Sequence, residues 1–170
     1  MPEQPAQSEI ETCGPPGEPL EEILKSHPFT SGLAPAHLRV IAASGRAQNV
    51  RAGHYLWRQG QNAAETYLVL EGEIALEIAV PNEGKLTFES VSAGGVAGCR
   101  ALFGSGPWRF DGRAASVVRA IALDSTSLRA AIEADHQFGY RLLERCTSLL
   151  GEMLNAGRIK LAEAHRAALP

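Results

Sequence analysis

Long hydrophobic runs are missing from this chain. Nothing approaches the roughly eighteen consecutive apolar residues that a membrane-spanning helix needs, so a span is excluded. No basic start followed by an apolar stretch opens the sequence, which speaks against a secretory signal. An excess of positive charge is missing too. The 16 Lys plus Arg against 19 Asp plus Glu leave a formal charge of -3, so neither a nucleic acid nor a membrane is an expected partner. Cysteine is scarce and scattered, as Cys13, Cys99 and Cys146, with no Cys-x-x-Cys pair. That excludes a thiolate zinc motif and a disulfide framework and suits a reducing cytoplasm. His27, His37, His54, His136 and His165 share no helical or strand spacing, so a metal centre would have to be assembled from remote parts of the chain. No Ser/His/Asp or Cys/His order stands out. The paired histidines of a metal-bearing jelly-roll enzyme are absent, and Asp124, Glu133 and Asp135 form no acid/base pair. The chain does not read as an enzyme.

What is there suits one domain of 170 residues with short appendages, long enough to bury a core unaided. Residues 1–18 hold four prolines, two glycines and Glu3, Glu9, Glu11 and Glu18 with no base. They read as a disordered acidic tail; without it, 15 acids face 16 bases. Residues 19–46 read as N-terminal helices. Leu20, Ile23 and Leu24 give one amphipathic turn, and His27-Pro28 stops it. Pro35 opens a second helix with Leu38 and Ile41 inward, and Gly45 ends it. Over residues 47–124 the pattern becomes short strands separated by Gly53, Gly60, Gly72 and Gly95, with Ile74, Leu76 and Ile78 at period two. The last strand material is Ala115–Leu123. Such a pattern indicates a sandwich or jelly roll, mainly β with flanking helices, and no βαβ alternation. Over residues 125–165 the helical period returns, with Ser125 or Thr126 as the first cap. On a long helix, Leu142, Cys146, Leu149, Met153 and Ala156 are spaced 4, 3, 4, 3, a heptad seam widened by Leu143 and Leu150. Gly151 and Gly157 weaken that helix by roughly 1 kcal/mol each. The seam either packs back on its own domain or forms a homodimer, which is the favoured expectation.

Two features stand close together. Gly95-Val96-Ala97-Gly98-Cys99-Arg100-Ala101-Leu102-Phe103 suggests a strand, a tight turn and one helical turn, whose amides can face an anion. Arg113-Ala114-Ala115-Ser116-Val117 supplies a cation beside two tiny residues. With Gly53-His54-Tyr55-Leu56, Gly60 and Tyr67-Leu68-Val69-Leu70-Glu71-Gly72-Glu73-Ile74, this order resembles the cyclic nucleotide-binding domain over roughly residues 20 to 160. The resemblance implies an eight-stranded antiparallel jelly-roll barrel with N-terminal helices and a long C-terminal helix. It also implies a phosphate-binding cassette, here residues 95–117. By that likeness Gly98, Cys99, Arg100 and Ala101 form the cassette turn and short helix. Arg113 is the phosphate arginine, and Ala114 and Ala115 offer backbone to the phosphate. The implied effector is cAMP, cGMP or another phosphate-bearing molecule, with no required cofactor. Cys99 departs from the family, whose cAMP binders carry a glutamate there for the ribose hydroxyl. Losing a charged hydrogen-bond partner costs about 1.5–3 kcal/mol, roughly one to two decades of affinity.

The loop from Cys99 to Arg113 is longer than the family's usual one and carries Trp108-Arg109-Phe110-Asp111-Gly112 before Arg113, which resembles stand-alone bacterial members of the superfamily. No helix-turn-helix, channel or kinase segment accompanies the domain, so a regulatory sensor would be read by a protein partner. The rival is a degenerate docking module. Several residues keep two readings at this point. Arg113 faces phosphate or pairs with Asp111 or Glu89. Cys99 is buried filler or a redox thiol. Trp108 and Phe110 plug the ribose region or lie over a base. Arg141, Arg145, Arg158 and Lys160 form a solvated face.

Overall fold

The computed structural model describes residues 19–167 apart from 83 and 105. The acidic tail of residues 1–18 lies outside the described residues. Two short helices, α1 (Leu20–Ser26) and α2 (Pro35–Ala43), precede eight strands. These are β1 (Gly45–Val50), β2 (Tyr55–Trp57), β3 (Glu65–Glu71), β4 (Glu73–Val80), β5 (Gly84–Ser92), β6 (Val96–Ala97), β7 (Asp111–Ala114) and β8 (Val118–Asp124). The one-turn helix α3 (Arg100–Phe103) lies between β6 and β7, and α4 (Ser125–Ala134) and α5 (His136–Ala167) follow β8. The strands form two antiparallel four-stranded sheets, β1-β8-β3-β6 and β2-β7-β4-β5. The expected closed barrel is therefore corrected to two facing sheets with jelly-roll connections. Among the described residues no helix is long and apolar enough to cross a membrane.

Strand periodicity divides the core in two. Along β3 and β8, Tyr67, Val69, Ala120 and Ala122 point between the sheets. Their neighbours Leu68, Ile121 and Leu123 point the other way, under the helices with Leu24, Leu38, Ile41, Leu128 and Phe138. Both faces of this sheet are thus buried, which is why its strands read as continuous apolar runs. The expected final strand, Ala115–Leu123, begins only at Val118 as β8, because residues 115–117 form a break between it and β7. Gly72, at φ 83, forces the break's geometry, because a Cβ there would lie 2.1 Å from the Val117 carbonyl oxygen.

Several helix ends differ from expectation. Gly45 opens β1 instead of ending α2. The Asp124 carboxylate, not Ser125 or Thr126, caps α4 by accepting from the Ser127 N–H at 2.7 Å. The first half of the α5 seam packs inward: Leu142 and Cys146 are buried in the helix–sheet core, and Leu149 and Met153 are partly covered. Arg145 is not a solvated charge. Its guanidinium donates to the carbonyls of Phe29 at 2.9 Å and Ser31 at 2.6 Å, fixing α5 to the loop after α1. Lys160, further along, pairs with Glu89 of β5 at 3.1 Å.

His27 closes the α1 end. Its Nδ1 accepts from the Phe29 N–H at 3.2 Å, so its proton sits on Nε2, 3.2 Å from the Val69 carbonyl. Burial lowers its pKa below the ordinary 6.5, only partly opposed by the Val69 bond. The unfolded chain therefore binds more protons below that value, and stability falls as pH drops from 6.5 through the folded pKa. Melting followed from pH 7.5 to pH 5 should show a declining midpoint. His27→Gln should flatten that slope, and an unchanged slope would reject this role.

Candidate ligand cassette

Strand β6, the Gly98 turn, α3 and the loop to β7 form one cassette. Gly98 has φ 82, and a Cβ there would stand 2.9 Å from Cη2 of Trp108 and 3.0 Å from the Glu65 carbonyl oxygen. Only glycine fits. Two amides of the turn are already used: Ala101 N–H donates to the Gly98 carbonyl at 2.9 Å, and Leu102 N–H to the Cys99 carbonyl at 3.1 Å. Ala101 is fully buried between the sheets, Leu102 lies under the helices, and Arg100 is exposed beside Gly106.

The space beside Gly98 is filled by aromatic rings. Trp108 is 4% exposed and stacks on Trp57 with centroids 4.8 Å apart. Trp57 stacks in turn on Tyr67 at 5.4 Å and meets Phe110 edge-on at 6.4 Å. Its indole N–H donates to the Phe110 carbonyl at 3.0 Å. The backbone of Trp108 is held on both sides: its N–H donates to Gln61 and its carbonyl accepts from Gly60. Met153 of α5 packs against the same cluster. Gly112 is equally committed, since a Cβ would come within 2.4 Å of the Trp57 ring.

The Arg113 segment sits elsewhere. In β7, Gly112 and Ala114 face the inter-sheet core, so Asp111 and Arg113 project to the opposite face. There the Arg113 Nε and Nη2 both contact Oε1 of Glu77 on β4, at 2.8 and 2.6 Å. That hydrogen bond raises the guanidinium's pKa further. The amides of Ala114 and Ala115 donate to the carbonyls of His54 and Glu73 at 2.8 and 2.9 Å. Neither is open to a phosphate. The structure therefore gathers Gly98, Cys99, Arg100 and Ala101 on one turn but sets Arg113 on the other side of its sheet. The expected partners of Arg113 are taken by others: Asp111 by Lys85 and Arg58, and Glu89 by Lys160. Burial alone would raise the Asp111 pKa, but bonds from Lys85 and the Gln59 N–H bring it below the usual carboxylate value.

The partners that sequence reasoning missed are Glu77, Trp57 and Tyr67. Glu77 stood on the polar side of the Ile74–Ile78 alternation, and antiparallel register brings it beside Arg113. Trp57 and Tyr67 lay in strands already assigned, without a signal that they would meet across the sandwich.

A model of the cyclic nucleotide-binding domain matches residues 47–135, more than half of the chain. The chain belongs to that family. Solved structures agree in fold. A cyclic nucleotide-binding domain from Methylobacillus flagellatus superposes with TM-score 0.72 at 18% identity, over 85% of this chain and 82% of that one. A cyclic nucleotide-binding-like protein from Brucella abortus gives 0.56 at 26% identity, over 68% and 99%. The sensor domain of the transcriptional regulator DNR from Pseudomonas aeruginosa gives 0.65 at 18%, over 79% and 91%. A search of curated protein sequences finds no match. Within this cyclic nucleotide-binding domain, the side chain over the cassette glycine is thus an indole, and Arg113, the expected phosphate arginine, is engaged by a carboxylate.

Proposed function

We propose that the protein is a regulatory module of the cyclic nucleotide-binding type whose cassette is closed by its own tryptophan. In this reading cAMP and cGMP bind weakly or not at all, and the domain acts through contacts with other chains. The observation that carries it is the Trp108 ring, stacked on Trp57 directly over Gly98. The Glu77 pairing of Arg113 supports it, because a phosphate reaching that guanidinium would compete with a carboxylate already in place. Thermal melting with millimolar cAMP and cGMP tests the reading. A nucleotide at about 100 times its Kd would add about 2.7 kcal/mol of stability. We expect no shift with either; a clear shift lost in Arg113→Ala would restore the phosphate-sensing reading.

The contact surface in this reading is the outer face of α5, and its occupant is a second copy of the chain. Leu143, Leu150, Leu154 and Leu161 are all exposed and spaced 7, 4 and 7, a heptad strip distinct from the face packed on the sandwich. Light scattering should report a dimer, and Leu150→Glu with Leu154→Glu should yield a folded monomer. A wild-type monomer at micromolar concentration would remove the dimer from the proposal.

A further inference from the structure

Cys99 and Cys146 are 47 positions apart in the chain yet meet in the helix–sheet core, where Cys99 packs against the cluster that holds Cys146. Cys99 immediately precedes α3 and is half-buried, more exposed than Cys146. Cys146 lies on α5, is 2% exposed and packs with Leu142 and Leu102. The two side chains hydrogen-bond each other. Neither thiol is needed for the cassette's aromatic closure or for the outer strip of α5. We propose that Cys99 and Cys146 form a reversible dithiol–disulfide couple, an oxidation site that fastens the cassette turn to the long helix.

The environment gives the two sulfurs different roles. The bond from Cys146 pulls the Cys99 pKa down against the effect of burial. The same bond, with burial, pushes Cys146 up. Cys99, the more accessible thiol, is then the nucleophile, and Cys146 is the resolving thiol. With hydrogen peroxide as oxidant, the Cys99 thiolate attacks one peroxide oxygen, the O–O bond breaks, and the departing hydroxide takes the proton that Cys99 released. One molecule of water leaves and Cys99 becomes the sulfenic acid. The Cys146 sulfur then attacks the Cys99 sulfur, the S–O bond breaks, and a second water carries off the oxygen with the Cys146 proton. Two sulfurs each lose one electron, and the two peroxide oxygens gain them. A small dithiol reverses the bond by exchange. The link would make α3 and α5 move as one body, whether or not a nucleotide ever enters the cassette.

Peptide mapping tests this on the full chain carrying Cys13→Ser, which removes the third thiol. After treatment with hydrogen peroxide and alkylation of the remaining thiols, trypsin should release Leu86–Arg100 joined to Cys146–Arg158. The joined pair should be two hydrogens lighter than the separate reduced peptides, independent of protein concentration and lost on dithiothreitol treatment. Cys146→Ala should trap Cys99 as a sulfenic acid that dimedone labels, and Cys99→Ala should leave Cys146 unreacted at the same dose. Undiminished alkylation of both thiols after peroxide would overturn the proposal. So would over-oxidation of Cys99 without the joined peptide, or a link between two chains.

Discussion

Trp108→Ala is expected to lower the unfolding free energy by about 3–5 kcal/mol, the usual cost of removing a large aromatic from a close-packed interior. Trp108 is 4% exposed and contacts both Trp57 and the Gly98 turn, so its loss leaves a hole that neither sheet can close without moving a strand. The hole would be lined by Trp57, Tyr67 and Ala101 and so be apolar, the kind of cavity that stays dry and takes an aromatic guest. Millimolar indole should therefore raise the melting temperature of the variant and leave the wild type unchanged. The variant should gain no response to cAMP, because Arg113 still faces the other side of its sheet. A loss below about 1 kcal/mol, outside the range for buried aromatics, would mean that the ring does not hold the cassette shut.

The second large effect is expected at Arg113. Removing its guanidinium strands Glu77, whose side chain is only 5% exposed and whose second oxygen already has no hydrogen-bond partner. Breaking a buried ion pair from one side typically costs 3–5 kcal/mol. With the Arg113 side chain 31% exposed, solvent lessens this to about 2–3 kcal/mol. Arg113→Ala combined with Glu77→Gln should cost less than Arg113→Ala alone, because the orphaned charge is gone. Denaturant unfolding of the two single variants and the double variant measures this directly. A double variant less stable than Arg113→Ala would mean that Glu77 serves the fold by some route other than this pair.

Much of the architecture was legible because it depends on periodicity. The alternation of Ile74, Leu76 and Ile78 marked β4, and Gly98 before Ala101-Leu102 marked the cassette turn. His27-Pro28 marked the end of α1, and the 4, 3, 4, 3 spacing marked α5. What sequence could not supply was side-chain direction across non-local pairs. Arg113 beside Ala114 and Ala115 has the composition of a phosphate site. Its direction, however, is set by the pleat of β7, where Gly112 must face inward under the Trp57 ring. One residue of register decides which face a whole strand presents. Likewise, the α5 seam is visible in sequence, but which of two adjacent strips covers the sandwich depends on Arg145 anchoring the helix to the loop after α1.

A crystal structure of the protein grown with millimolar cAMP would show whether the indole keeps the cassette closed to a nucleotide. Trp108 should still stack on Trp57, Arg113 should still be held by Glu77, and no nucleotide density should lie beside Gly98. A nucleotide bound there, with the indole swung out and the Arg113 guanidinium turned onto its phosphate, would contradict this closure.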